Sequence, residues 1–286
     1  MALTDFTFQL NSGPVLNDDS TSFPFVDIDN VVGLDSAPYR ETIRDHEGVD
    51  GGFIDAEFER GREISLEGTA YGIVGSDEDY LDDLKACFAP VMSPIPLVFK
   101  PPGVAERVVY VKPRGVRYDW QSVRRTGATP IQLLMYAEDP RIYDNSLQNV
   151  LIAFGGLATT GFAFSFGFSL SFGVTVPPAG ANVFNNGNRP TPAVMTITGP
   201  VTNPRIINQS ESKTLEFIVT LGAGETLTID TLNRTVILNG VTNARNTLQT
   251  SDWWLFRPAS EGSTMILFGG QAGSGTLSID FRNAWR

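Results

Sequence analysis

At 286 residues the chain can bury more than one core, and length alone favours two domains over one. A formal net charge of −11 and an isoelectric point near 4.6 give an acidic surface, which argues against a protein that grips phosphate backbones. Ordinary hydrophobic and charged fractions of 42% and 19% exclude global disorder, and the single Cys87 excludes an intramolecular disulfide, which suits assembly in a reducing cytoplasm.

The first residues, MALTDFTFQL, carry neither a basic region nor an uninterrupted apolar run, so no secretory signal is expected there. Residues 5–10 alternate as a strand, and 23–34 are extended around Asp29-Asn30 and Gly33. Residues 51–58 and 62–71 alternate again on either side of an Arg60-Gly61 corner. After Gly75 the period changes. Ser76 is an N-cap with Asp79 three residues on, and Tyr80, Leu81, Leu84, Cys87 and Phe88 share one helical face that Pro90 ends. Residues 98–100, 107–112, 116–120 and 129–137 return to strand character, with Pro-Gly and Arg-Gly turns between them. The first domain, 1–150, therefore reads as mostly β with one helix.

Residues 145–188 contain no charged side chain. Within them Phe162, Phe164, Phe166, Phe168, Leu170 and Phe172 alternate with Ala, Ser and Gly, which is the period of a strand and argues against membrane insertion. We read 151–190 as an aromatic, glycine-rich interdomain arm whose phenylalanine face is covered, with Phe164, Phe166 and Phe168 as candidates for subunit contact. Beyond Pro190, short apolar-alternating stretches separated by Gly, Pro and Asn turns predict an antiparallel β-sandwich or jelly roll over 191–286. Its centre is GETLTIDTLNRTVILNG at 224–240. Two half-buried strands meet at a corner that Asp230 and Asn233 bond to their own backbone, and Asn239-Gly240 supplies the positive torsions of a second turn. With 253–256 and 263–268 following, this reads as one long antiparallel meander.

Candidates for chemistry are few. His46 is the only histidine, in a polar loop, and Cys87 belongs to a helix face with nothing to activate it. The carboxylates at 77–83 read as an acidic helix start, and Asp18-Asp19 and Asp27 to Asp29 lack the spacing of a calcium loop. The reading is therefore of a protein that is not an enzyme, with no catalytic residue, no cofactor and no metal. Trp253 and Trp254, as neighbours on a strand, face opposite sides, so one of them is a candidate stacking platform for glycan. Arg60 and Arg62, within an Arg-rich first domain, are candidates for a subunit interface, where arginine is enriched.

Taken in order, YAEDPRIY at 136–143, GETLTIDTLNRTVILNG and WWLFRPASEGSTMILF resemble the distal tail proteins of long-tailed, siphovirus-type bacteriophages. In that family a G-E-x-x-x-I-D hairpin, a V-x-L-N-G turn and a W-x-x-L-x-P-G-x-N-x-I strand recur near the C-terminus. Here Ala259-Ser260-Glu261-Gly262 stands in place of Pro-Gly, and Ser263-Thr264 replaces the Asn. The resemblance implies a structural virion protein of the tail tip, made in the host cytoplasm. Its first domain would form a homo-oligomeric ring of six copies between the tail tube protein and the tip hub protein, and its second domain would be galectin-like. DNA would pass the ring without specific binding, with the acidic stretches 77–83 and 57–63 as candidate linings. The alternative is a lectin-like tail module that binds host-surface glycan through the second domain.

Overall fold

Alternating apolar and polar residues pair most of the chain into antiparallel strands; the computed structural model describes residues 3–18, 24–46, 48, 50–54, 58–71, 78–119, 121, 128–156 and 179–286. The chain divides into two units, Met1–Asn145 with Trp285–Arg286, and Ser146–Ala284. Against expected boundaries at 150 and 190, both Gln148–Ala153 and Ala179–Val183 pair inside the second unit.

Unit 1 contains β1 (Phe8–Leu10), β2 (Val15–Leu16), β3 (Phe25–Val32), β4 (Tyr39–Arg40), β5 (Ile43–Asp45), β6 (Gly52–Ile54), β7 (Phe58–Glu59) and β8 (Arg62–Tyr71). The helix α1 (Glu78–Cys87) follows, then β9 (Ile95–Phe99), β10 (Arg107–Tyr118), β11 (Ala128–Ala137) and β12 (Ile142–Asp144). The main sheet runs in the order β2-β1-β9-β10-β11-β8-β3. Its inward residues, among them Leu66, Leu97, Val111 and Leu133, share one core with Leu81, Leu84 and Phe88 of α1. Burying each of those three helix side chains contributes roughly 1.5–3 kcal/mol, which is what holds so short a helix in place. Residues 107–118 form one strand where two were expected. Arg114-Gly115, read as a turn, is a bulge: the register shifts between Pro113 and Gly115, and Gly115 takes φ 133°.

The two ends of this sheet are joined by Asn17, just past β2. Its backbone N–H donates to Val26 O (2.8 Å), its side-chain oxygen accepts the Ile28 N–H (3.0 Å), and its amide donates to Phe6 O (2.9 Å). Asn is among the few residues that tolerate the φ of 59° found there. The sheet is thereby curled, so that α1 covers one face of a nearly edgeless wall.

Unit 2 comprises β13 (Gln148–Ala153), β14 (Gly155–Gly156), β15 (Ala179–Val183), β16 (Ala193–Thr198), β17 (Val201–Thr202), β18 (Arg205–Asn208), β19 (Lys213–Phe217) and β20 (Thr220–Leu221). It continues with β21 (Thr226–Asp230), β22 (Thr235–Leu238), β23 (Thr242–Asn243), β24 (Leu248–Ser251), β25 (Thr264–Gly270), β26 (Ala272–Gly273) and β27 (Thr276–Phe281), before β28 (Ala284–Trp285) leads back to unit 1 and pairs with β12. One sheet has the order β13-β27-β16-β21-β22-β23 and the other β14-β25-β18-β19-β24, with β15 also on β25. Met195, Ile197, Leu227 and Ile279 of the first face Ile206, Leu215, Phe217 and Phe268 of the second in one core.

The expected meander is not what forms. β21, β22 and β23 follow one another in one sheet and β18 and β19 form a hairpin in the other, while the steps from β16 to β18, β19 to β21, β23 to β24 and β25 to β27 take the chain from one sheet to the other. Each sheet has an apolar face that only the other sheet can cover, so the chain alternates between them. The stretch 253–256, expected as a strand, keeps its in-out alternation but bridges its neighbours only at Thr191 and Phe256.

A fully buried asparagine ties the end of unit 2 together. Asn185 accepts the N–H of Gly187 (3.1 Å) and of Ala284 (3.2 Å), and donates to the carbonyls of Arg189 (2.5 Å) and Phe256 (3.2 Å). All four capacities of the amide are used. Asn185→Ala would orphan these groups in a dry corner, and we expect it to lower the stability of unit 2 by at least about 2 kcal/mol. Denaturation followed by the fluorescence of Trp254, in the same core, measures this.

Candidate functional site

Between β3 and β8 the chain leaves the main sheet of unit 1 as a two-stranded ribbon. Tyr39 pairs with Glu59 and Arg40 with Phe58; beyond them β5 and β6 pair Ile43 with Ile54 and Asp45 with Gly52. The base is closed by the Arg60 N–H on Pro38 O at 2.7 Å, and the His46 N–H on Gly51 O (3.0 Å) closes the outer turn. Large apolar side chains on this ribbon face solvent: Tyr39 is 48% exposed, Ile43 61% and Phe58 57%. The Arg40 guanidinium lies 5.6 Å from the Phe58 ring and shields part of it. Two strands without a covering layer have no interior, so nothing on the ribbon buries these groups.

Arg60, at the ribbon base, is exposed, as a contact residue must be. Arg62 is not: only 1% of it reaches solvent, because its guanidinium turns inward to backbone carbonyls. It has no surface to offer a neighbouring subunit, which removes it from the interface candidates. Phe164, Phe166 and Phe168 lie outside the described residues, as do Asp77 and Glu57. Tyr39, Ile43 and Phe58 escaped the sequence reading. The one signal they leave is apolar residues spaced singly through PYRETIRD and EFER, a pattern that polar neighbours make look like a loop.

The two tryptophans occupy different places. Trp254, 3% exposed, is a core residue and cannot be a stacking platform. Trp253 is half-buried against the same core, with the Arg245 guanidinium 5.3 Å from its ring. Of the pair, Trp253 is the one that still reaches solvent.

The motif residues are spent on holding local structure. In the 224–240 hairpin, Glu225 Oε2 accepts the Gly222 N–H (2.7 Å) and Oε1 the Asn239 amide (3.2 Å), while Asn239 exchanges bonds with Thr226 at 2.8 and 2.9 Å. Asn239 and Gly240 take φ of 49° and 73°, and at the opposite corner Asp230 accepts the Leu232 and Asn233 N–H groups (2.8 and 3.1 Å). In 136–143, Asp139 accepts the Arg141 guanidinium (2.9 Å) and the Tyr143 hydroxyl. Burial, then the Asp139 charge, pushes the Tyr143 phenol far up, so it stays a proton donor to that carboxylate.

Other groups show no convergence toward chemistry. His46 is exposed at the ribbon turn, and the Cys87 thiol is pushed up by burial and then by Asp83, away from thiolate reactivity. An open groove across β3, β8 and β11 is lined by Asp29, Glu67 and Gln132. There the Asn30 and Gln132 amides hold the Glu67 carboxyl below its usual range. Among the described residues no group of three or more His, Cys, Asp or Glu is placed to hold a metal ion, and no helix is long and apolar enough to cross a membrane.

Comparison with known proteins finds a family match for part of unit 2 and likeness of fold for the chain. Residues 186–285, most of unit 2, match the family described as siphovirus-type tail component, C-terminal domain. The whole chain shares its fold with the Dit protein of phage SPP1, described as a paradigm of the hub adsorption apparatus in phages infecting Gram-positive bacteria. That likeness has a TM-score of 0.64 at 16% identity and covers 97% of this chain and 98% of that one. A chain of the phage P2 baseplate in its activated conformation with Ca is also similar, with a TM-score of 0.53 at 10% identity over 97% of this chain and 98% of that one. The same baseplate with Sr gives 0.51 at 9% identity over 95% and 97%. No curated protein matches. The resemblance read from the motifs, and the mostly β fold with a single helix among the described residues, agree with these findings.

The Glu225 bracket makes a pH prediction. The Gly222 N–H, then the Asn239 amide, lower the Glu225 pKa in the fold. A carboxyl lowered on folding stabilises above its unfolded pKa, about 4.3, and the contribution is lost as pH falls through the folded value. The stability advantage of the wild type over Glu225→Gln should therefore be constant above about pH 5 and shrink below pH 4. Paired denaturation curves across that range check it; an advantage that grows on acidification contradicts the bracket.

Proposed function

We propose that this chain is a structural protein of the phage tail tip, located in the virion, and that unit 1 assembles with further copies into a ring of six that joins the tail tube to the tip hub. The observation that carries this reading is the ribbon, whose Tyr39, Ile43 and Phe58 are exposed in a single copy and would be buried against a second. The domain match over 186–285 and the full-length likeness to a hub protein support it. Its work is assembly through strand edges and apolar faces, with no catalytic step. Arg60 stays a contact candidate at the base of the ribbon, and the phenylalanines of 162–172 remain proposed contacts on their sequence pattern.

A ring that passes DNA needs a lining that does not hold it. The charge of −11 per copy supplies carboxylate, and Glu63, Asp82 and Asp83, all exposed, are candidates from the two acidic stretches. Purified protein should fail to retard double-stranded DNA at physiological salt. The glycan-binding alternative would have to use Trp253 without Trp254, or another surface.

The test is the triple variant Tyr39→Ser, Ile43→Ser, Phe58→Ser, run by size-exclusion chromatography with light scattering. We expect the wild type to assemble and the variant to stay monomeric with unchanged circular dichroism. Burial of three such side chains is worth several kcal/mol at roughly 1.5–3 each, enough to decide an assembly. Assembly at wild-type concentrations by the variant would remove the ribbon from the interface.

A further inference from the structure

The ribbon leaves and re-enters the main sheet of unit 1 through two glycines that admit no side chain. A Cβ on Gly33 would lie 1.9 Å from the Glu63 carbonyl oxygen; one on Gly61 would lie 2.6 Å from Ala137 O and 2.4 Å from the Tyr136 hydroxyl. Gly33 also takes φ 89°, a conformation that other residues rarely adopt. Backbone is thus pressed on backbone at both ends of the excursion.

Arg62 follows directly. It is among the most buried large side chains, and its guanidinium binds carbonyls from separate segments: Nη1 donates to Gly33 O (3.3 Å) and Asp35 O (3.5 Å), and Nη2 donates to Pro140 O. Gly33 and Asp35 form the outgoing root of the ribbon, Arg62 lies just past its return, and Pro140 belongs to the D-P-R-I-Y segment that Asp139 braces through Arg141 and Tyr143. Burying a guanidinium is costly, and an apolar side chain of similar volume would fill the same space more cheaply. What only arginine supplies is a planar fork of donors that reaches several carbonyls at once.

We propose that Arg62 is the positioning residue of the ribbon. It ties the outgoing root, the return and the 139–143 brace into one rigid joint, which fixes the direction in which the ribbon leaves the main sheet. Tyr39, Ile43 and Phe58 are then presented to a second copy of this chain already aligned, so assembly does not have to order the ribbon. The alignment of a second copy rests on the assembly reading above; the joint itself does not.

Hydrogen–deuterium exchange on the full chain separates the two. In Arg62→Met, amides of 33–40 and 58–60 should exchange about tenfold faster or more, as expected when charged hydrogen bonds are lost, while β9, β10 and β11 keep their protection. Arg62→Lys, which keeps the charge but not the fork, should restore part of that protection. The concentration needed for assembly should rise in the same order, Met above Lys above wild type. Protection lost evenly across unit 1 would mean that Arg62 is only a core residue, and unchanged exchange in the ribbon would mean that it positions nothing; either overturns the proposal. Faster exchange in the ribbon with unchanged assembly would keep the joint and reject the ribbon as the contact. Should Arg62→Met fail to fold, Gly61→Ala attacks the same joint with the charge intact, and the same localised pattern is required of it.

Discussion

A β-sheet has two faces, and whichever is apolar has to be covered by something. Each part of this chain answers that constraint differently. In unit 1 the sheet curls until Asn17 links β2 to β3, and α1 supplies the remaining cover with Leu81, Leu84 and Phe88. In unit 2 a second sheet does the covering, and the chain crosses back and forth so that both sheets are complete. Among the described residues of the ribbon between β3 and β8, Tyr39, Ile43 and Phe58 are exposed with no second layer over them. The part of the molecule in which the constraint is unmet is therefore where a partner is to be sought.

Polar side chains in both units act at seams. Asn17, Asn185 and Arg62 each bond backbone groups from segments far apart in sequence, at places where no ladder continues. None of them adds much apolar burial. Each satisfies N–H or C=O groups that would otherwise be stranded, and the cost of stranding makes the joint specific. The recurring motifs work the same way: Glu225 with Asn239, and Asp139 with Tyr143, hold corners closed.

The sequence was most legible where local chemistry decides structure. The Asp230 corner, the Asn239-Gly240 turn, the helix face through Leu81, Leu84 and Phe88 and most strand cores follow from spacing and torsional preference alone. It was least legible where distant contacts decide. Gly115 looks like a turn residue and serves as a bulge, since only the partner strand β11 distinguishes the two. Arg62 looks like a surface charge, and nothing in its neighbourhood announces the Pro140 carbonyl that takes it inside. Trp253 and Trp254 have the spacing of opposed faces, yet the core takes Trp254 whole and Trp253 in part, with Arg245 beside the remainder. The ribbon was hidden by its own composition, in which exposed apolar residues sit between Arg, Glu and Asp.

Imaging of the purified full-length protein by electron microscopy, alone and mixed with tail tube protein, tests the central claim most directly. The account predicts closed rings of six copies with an open centre, in which unit 1 forms the continuous wall and each ribbon lies on the neighbouring copy. Single copies under both conditions, or assemblies in which the ribbon remains in solvent, would contradict it.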